Sequence, residues 1–135
     1  MHLLRALSLP IAVGMVVLVA SAALPADHTV TIGIHYSQFT PAAINVPAGV
    51  PVTFVLRNYD PIDHEWIIGD EARHTRHRLG TEPQHGERAT EQSIAALSRV
   101  RTTITFPTPG TYRYICHLPG HEAYGMVGVI TVTDG

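Results

Sequence analysis

The feature that most limits what this chain can fold into is a series of short stretches with a two-residue period, each stopped by proline or glycine. Val30, Ile32 and Ile34 alternate with Thr31, Gly33 and His35, the period of a strand with one buried face. Phe39 to Val46 reads as an irregular edge strand, because Pro41 has no N–H to offer a ladder. "VPAGVP" (46–51) is a turn, and Val52 to Asn58 is the next strand. The turn "NYDPID" and a strand from His64 to Gly69 follow. Ser93 to Ala95 resumes the sheet. Arg99 to Phe106, Thr111 to Cys116 and Met126 to Thr133 complete the set, with "PTPG" (107–110) as a tight turn. Short strands with turns every eight to twelve residues or so indicate an antiparallel sandwich or barrel.

One stretch breaks this pattern. Asp70 to Gln92, "DEARHTRHRLGTEPQHGERATEQ", is polar, charged and without period, and is expected to be a long loop insertion. It carries His74, His77 and His85, for which a solvated surface is the default reading. His74 and His77 are three apart and would meet on a helical turn, where His85 could close a second metal site.

The beginning of the chain has a different character. Met1 to Arg5 is basic, Ala6 to Ala20 is almost wholly apolar, and Ala20-Ser21-Ala22 and Ser21-Ala22-Ala23 supply the small residues of a cleavage site. Residues 1–23 are therefore expected to be a signal peptide, with an uncleaved anchor, weakened by Ser8 and Pro10, as the alternative. Residues 27–135 form the expected single domain, outside the cytoplasm and interrupted by the insertion at 70–92. Of nine basic residues, all arginine, Arg5 belongs to the leader, and eleven acidic residues outnumber the rest. Such a balance argues against nucleic acid or an anionic membrane surface as partner. Membrane association would come only through an uncleaved leader.

An exported domain makes its lone cysteine conspicuous, since a free thiol in an oxidising compartment is a liability unless occupied. Alternation along 112–116 puts Tyr112, Tyr114 and Cys116 on one face, taken as the inner one. His117 should then point the other way. After Cys116 come His121 and Met126 in the spacing Cys-x4-His-x4-Met, across a loop whose Pro119, Gly120 and Gly125 allow a sharp return. Thiolate, imidazole and thioether form a soft donor set suited to copper. Two histidines and a thiolate with a weak axial thioether make a blue electron-transfer site. The second histidine must come from elsewhere. His64 is the best placed, because it opens a strand just after a turn, and loops at one end of a sandwich cluster.

"TYRYICHLPGHEAYGMVGVITV", with "VPAGVPVTFVLRN" and "DHEWIIG", resembles the cupredoxins, the small blue copper proteins such as plastocyanin, azurin and rusticyanin. The resemblance spans nearly all of the mature chain. It implies a Greek-key β-sandwich of about eight strands, one type 1 copper ion, and the ligands His64, Cys116, His121 and Met126. Many cupredoxins carry Asn or Ser directly after the first histidine ligand, where it ties the two ligand loops together. Here that position is Glu65.

Three function classes follow. The first is an exported, monomeric carrier of single electrons that docks a protein redox partner around Leu118, Pro119, His121, Ala123 and Tyr124. The second is a copper enzyme. The Cys116-His117 pair resembles part of a multicopper oxidase motif, but Ile115 precedes the cysteine and no His-x-His pair exists in the chain. Enzymatic activity is therefore not expected. The third is an extracytoplasmic copper-binding carrier or copper-resistance protein.

Overall fold

A computed structural model describes residues 28–134 apart from 84, 85 and 87, so the expected leader and His85 lie outside the described residues. In chain order these residues form β1 (His28–His35), β2 (Gln38–Thr40), β3 (Ala43–Pro47), β4 (Pro51–Asn58), β5 (His64–Gly69), α1 (Glu71–Arg78), β6 (Glu91–Ile94), β7 (Arg99–Thr105), β8 (Gly110–Ile115) and β9 (Val127–Thr133). Two sheets result, ordered β2-β1-β4-β7 and β3-β9-β8-β5-β6. The all-β sandwich is as expected, with nine strands instead of about eight.

The extra strand comes from Pro41. The edge strand expected over 39–46 is divided there, since Pro41 cannot donate to a ladder. Its halves join different sheets, β2 beside β1 and β3 beside β9. The chain thus changes sheet within a few residues and returns with β4 parallel to β1. β3 and β9 are parallel as well. The purely antiparallel sandwich expected from turn spacing is corrected to a mixed one. Parallel neighbours require a crossover, and for β1 and β4 the crossover runs through the break at Pro41.

Alternation decides what fills the core. Ile32 and Ile34 from β1, Phe54 and Leu56 from β4, Trp66 from β5, Tyr114 from β8 and Ile130 from β9 are fully buried in one cluster between the sheets, which also contains Cys116 and Met126. Gly128 faces Tyr114 across the β8–β9 register, and a Cβ there would overlap the tyrosine ring. The space lets the Tyr114 hydroxyl donate to the Pro41 carbonyl at 2.7 Å, pinning the sheet change to the second sheet.

The insertion is not the loop expected over 70–92. It begins with a helix, and β6 opens at Glu91. The Asp70 carboxylate caps the helix by accepting the Arg73 backbone N–H at 2.8 Å. Glu71 in the first turn and Arg76, His77 and Arg78 in the last complement the helix dipole. α1 packs on β5. There Gly69 leaves room for the Arg73 side chain, which donates to the Ile68 carbonyl at 2.8 Å, Thr90 Oγ1 at 2.7 Å and Glu91 Oε2 at 2.8 Å. Ile67 and Ile115, opposite each other in the ladder, are fully buried yet outside the inner cluster, so the outer face of the second sheet is covered too. No helix among the described residues is long and apolar enough to cross a membrane.

Candidate metal centre

Two loops at one end of the sandwich build the site. In the first, the buried Asn58 side chain donates to the carbonyls of Ile62 (2.8 Å) and Ala95 (3.0 Å), and its Oδ1 accepts the Asp60 N–H (2.9 Å). These bonds close the turn 58–63 and tie it to the end of β6, so that β5 begins with a buried His64. In the second loop, Gly120 and Gly125 adopt φ of 85° and 91°, a region that residues with a Cβ rarely enter. The chain folds back on itself there. The His121 N–H donates to the Leu118 carbonyl at 3.0 Å, the Met126 N–H to the His121 carbonyl at 3.1 Å, and the Cys116 N–H to the Met126 carbonyl at 3.2 Å.

Three of the four residues picked out as ligands in sequence, His64 from the first loop and Cys116 and His121 from the second, converge. His64 Nδ1 and His121 Nδ1 lie 3.2 Å apart, as do Cys116 Sγ and His121 Nδ1. All three donor atoms fall within 4.8 Å of one another. Donors held at about 2.0–2.3 Å from a common ion lie roughly 3–4 Å apart, so this spacing fits a single soft cation. Met126 is completely buried beside them, its backbone bonded to both loop ligands. Two imidazoles, one thiol and a thioether are the donor set of a type 1 copper site. Among the described residues, no other group of three or more His, Cys, Asp or Glu donors converges in this way.

Surrounding groups tune each donor. Burial pushes the Cys116 thiol above its ordinary pKa, against the pull of backbone N–H groups at Glu65 and Leu118. The Glu65 N–H donates to Cys116 Sγ at 3.3 Å. That contact ties the ligand loops through the backbone, whatever side chain stands at position 65. Burial and the neighbouring His64 both lower the pKa of His121, leaving a neutral imidazole with a free lone pair. On the far side of His64, Asp60 Oδ2 lies 3.0 Å from Nε2. Burial by itself would raise the Asp60 pKa, but the N–H groups of Ser37 and Tyr36 and the His64 ring hold it below the usual carboxylate value.

Of the insertion histidines, the two among the described residues, His74 and His77, are not solvated. His74 is fully buried and His77 nearly so. Their rings pack on His117, with centroids 5.2 and 5.4 Å away, and His74 Nδ1 lies 3.0 Å from His117 Nε2. His117 does point away from Cys116, as strand alternation requires, but toward a helix rather than solvent. Glu122 lies 3.4 Å from His117 Nδ1 and binds Arg78 at 2.7 Å. The insertion therefore abuts the residue next to Cys116, a position sequence distance does not reveal.

Sequence reasoning passed over Asn58, Asp60 and Gln38. Gln38 Nε2 donates to the Tyr124 carbonyl at 2.8 Å, linking β2 to the ligand loop. The signal for the first two was present in "NYDPID": Asn and Asp side chains habitually bond the backbone two residues on, as Asn58 does here.

Comparison with known proteins agrees with the geometry. The family described as "Cupredoxin-like domain" matches residues 8–132. The copper-resistant cuproprotein CopI of Rubrivivax gelatinosus is 32% identical over 99 residues, covering 70% of this chain and 59% of that protein. Auracyanin-B of Chloroflexus aurantiacus is 30% identical over 110 residues, covering 70% and 47%. The chain thus spans about half the length of these relatives. The solved structure of auracyanin A, described as a "blue" copper protein from the same bacterium, superposes with a TM-score of 0.61 at 28% identity, covering 78% of this chain and 98% of that one. With donors, sandwich and relatives in agreement, this chain belongs to the cupredoxin-like family.

Proposed function

We propose that this chain is an exported type 1 copper protein that carries single electrons between redox partners, with His64, Cys116 and His121 as its strong ligands and Met126 as the weak axial one. The observation that carries the reading is the convergence of two imidazoles and one thiol at the end of the sandwich, with His121 Nδ1 3.2 Å from both His64 Nδ1 and Cys116 Sγ and all three donors within 4.8 Å. Bound copper would supply a one-electron couple. The protein supplies donors already in place, so neither oxidation state needs the loops to move. Hydrogen bonds joining Cys116, His121 and Met126 to one another, and Glu65 to Cys116, hold that arrangement.

Electrons would pass at the partly exposed His121. Around it Leu118, Pro119, Ala123 and Tyr124 offer a small apolar surface, with Tyr124 75% exposed, suited to a transient protein partner. In this reading the protein acts outside the cytoplasm as a monomer and carries electrons without catalysing a reaction of its own. The CopI relative favours a second reading, an extracytoplasmic copper carrier or copper-resistance protein built on the same site.

Copper(II) added to the metal-free protein should give an intense thiolate charge-transfer band in the visible range, absent from Cys116→Ser. Bound copper without that band would overturn the type 1 reading. Copper that exchanges rapidly with a chelator while the band forms would favour the carrier over the electron-transfer protein.

A further inference from the structure

Asp60 is nearly buried, at 5% exposure, and is the meeting point of three segments. Its Oδ1 accepts the Tyr36 N–H at 2.8 Å and lies 3.3 Å from His35 Nδ1. Its Oδ2 accepts the Ser37 N–H at 2.8 Å and lies 3.0 Å from His64 Nε2. Tyr36 and Ser37 have φ of 52° and 53°, so the turn between β1 and β2 is held in a left-handed conformation that neither residue favours by itself. The carboxylate supplies the compensating bonds. That turn leads directly into Gln38, which holds the ligand loop at Tyr124.

The carboxylate also decides what His64 can do. A carboxylate accepts and does not donate, so the nitrogen facing it must carry the ring proton. The neutral imidazole then has its lone pair on Nδ1, the atom 3.2 Å from His121 Nδ1 and within the donor group. A tautomer with the proton on Nδ1 would set a bare nitrogen against Asp60 and close the ligand position.

We propose that Asp60 is a positioning residue for the metal centre: it fixes His64 as the Nδ1-donating tautomer, increases the electron density of that ligand, and thereby favours the higher copper charge. This rests on the copper reading above. Carboxylates bonded to the remote nitrogen of a ligand histidine raise its basicity, and losing such a partner costs about 10- to 100-fold in metal affinity. His35, 55% exposed at its side chain, marks the solvent end of the network.

In Asp60→Asn, which keeps size and loses charge, the blue band should persist. Copper(II) affinity should fall about tenfold with copper(I) binding unchanged, a rise of 59 mV in reduction potential. A variant that is blue with wild-type potential and affinity overturns the proposal. Should the variant not fold, NMR of the wild-type protein decides. In the copper(I)-loaded and the metal-free states, the His64 Nε2–H should exchange slowly with water and show proximity to Asp60. A rapidly exchanging or absent Nε2–H overturns the assignment regardless of metal. A wild-type protein without a blue band overturns the copper reading, and the metal-free NMR result still decides the role of Asp60.

Discussion

His74 Nδ1 and His117 Nε2 lie 3.0 Å apart in the buried seam between α1 and the end of β8, one residue from the cysteine that completes the donor group. The seam is lined by groups that hydropathy counts as polar, yet His74 is fully buried and the His117 side chain is 3% exposed. Packing this helix therefore costs desolvation of imidazoles, and the cost depends on pH.

Burial, helped by the nearby His74, lowers the His117 pKa from 6.5 to about 4. His74 shifts in the same direction, again chiefly through burial. The unfolded chain binds these protons first as pH falls. Stability is thus complete above pH 6.5 and declines toward pH 4, by about 2 kcal/mol at pH 5 for His117 alone. Carboxylates such as Glu122, held low by Arg78, act in the same direction only below about 4.5. Denaturant titrations of wild type and His117→Gln at pH 7 and pH 5 should show the larger loss in wild type. Equal losses would remove His117 as the cause.

The insertion histidines should be dispensable for colour and costly for stability. His74→Ala with His77→Ala removes a buried packing surface, and a destabilisation of roughly 2–4 kcal/mol is expected from the cavity and unpaired groups left behind. The blue band should remain, and copper stoichiometry should stay at one, because only one donor group converges among the described residues. Loss of a second copper equivalent in the variant would show that these histidines bind metal.

Met126 is tested through the reduction potential. Met126→Leu fills the same buried volume without a donor and should raise the potential while keeping the colour, since a thioether contact favours copper(II) over no contact. Met126→Gln offers a harder oxygen and should lower it. Unchanged potentials in both variants would mean that Met126 only packs.

Gly128 has no side chain to offer a metal, yet it should be intolerant of change. A Cβ at this position would overlap Tyr114, whose hydroxyl is anchored at Pro41. Gly128→Ala should destabilise by about 1–3 kcal/mol through overpacking. Pairing it with Tyr114→Phe frees the ring to shift and should recover part of the loss, measured as a double-mutant cycle in thermal unfolding.

The sequence by itself determined the sandwich, gathered Cys116, His121 and Met126 in one loop, and singled out His64 as the histidine best placed to join them. Alternation places Ile32, Phe54, Trp66 and Tyr114 inward on each strand, and Cys-x4-His-x4-Met lies within one loop, where chain geometry leaves the donors little freedom. It also determined Pro41 as a place where no ladder could continue. Only the tertiary structure decided the rest. Whether the chain changes sheet at Pro41 depends on which strands compete for β9 and β1, a long-range matter that no local period encodes. α1 was hidden because its buried face consists of His74 and His77, so burial there leaves no apolar period to read. Asp60 was hidden because a carboxylate in a turn looks solvated until the folded chain brings Tyr36, Ser37 and His64 around it. Local periods reflect how each segment meets the core. Contacts between polar groups far apart in the chain arise only when the sandwich closes and removes water from both at once.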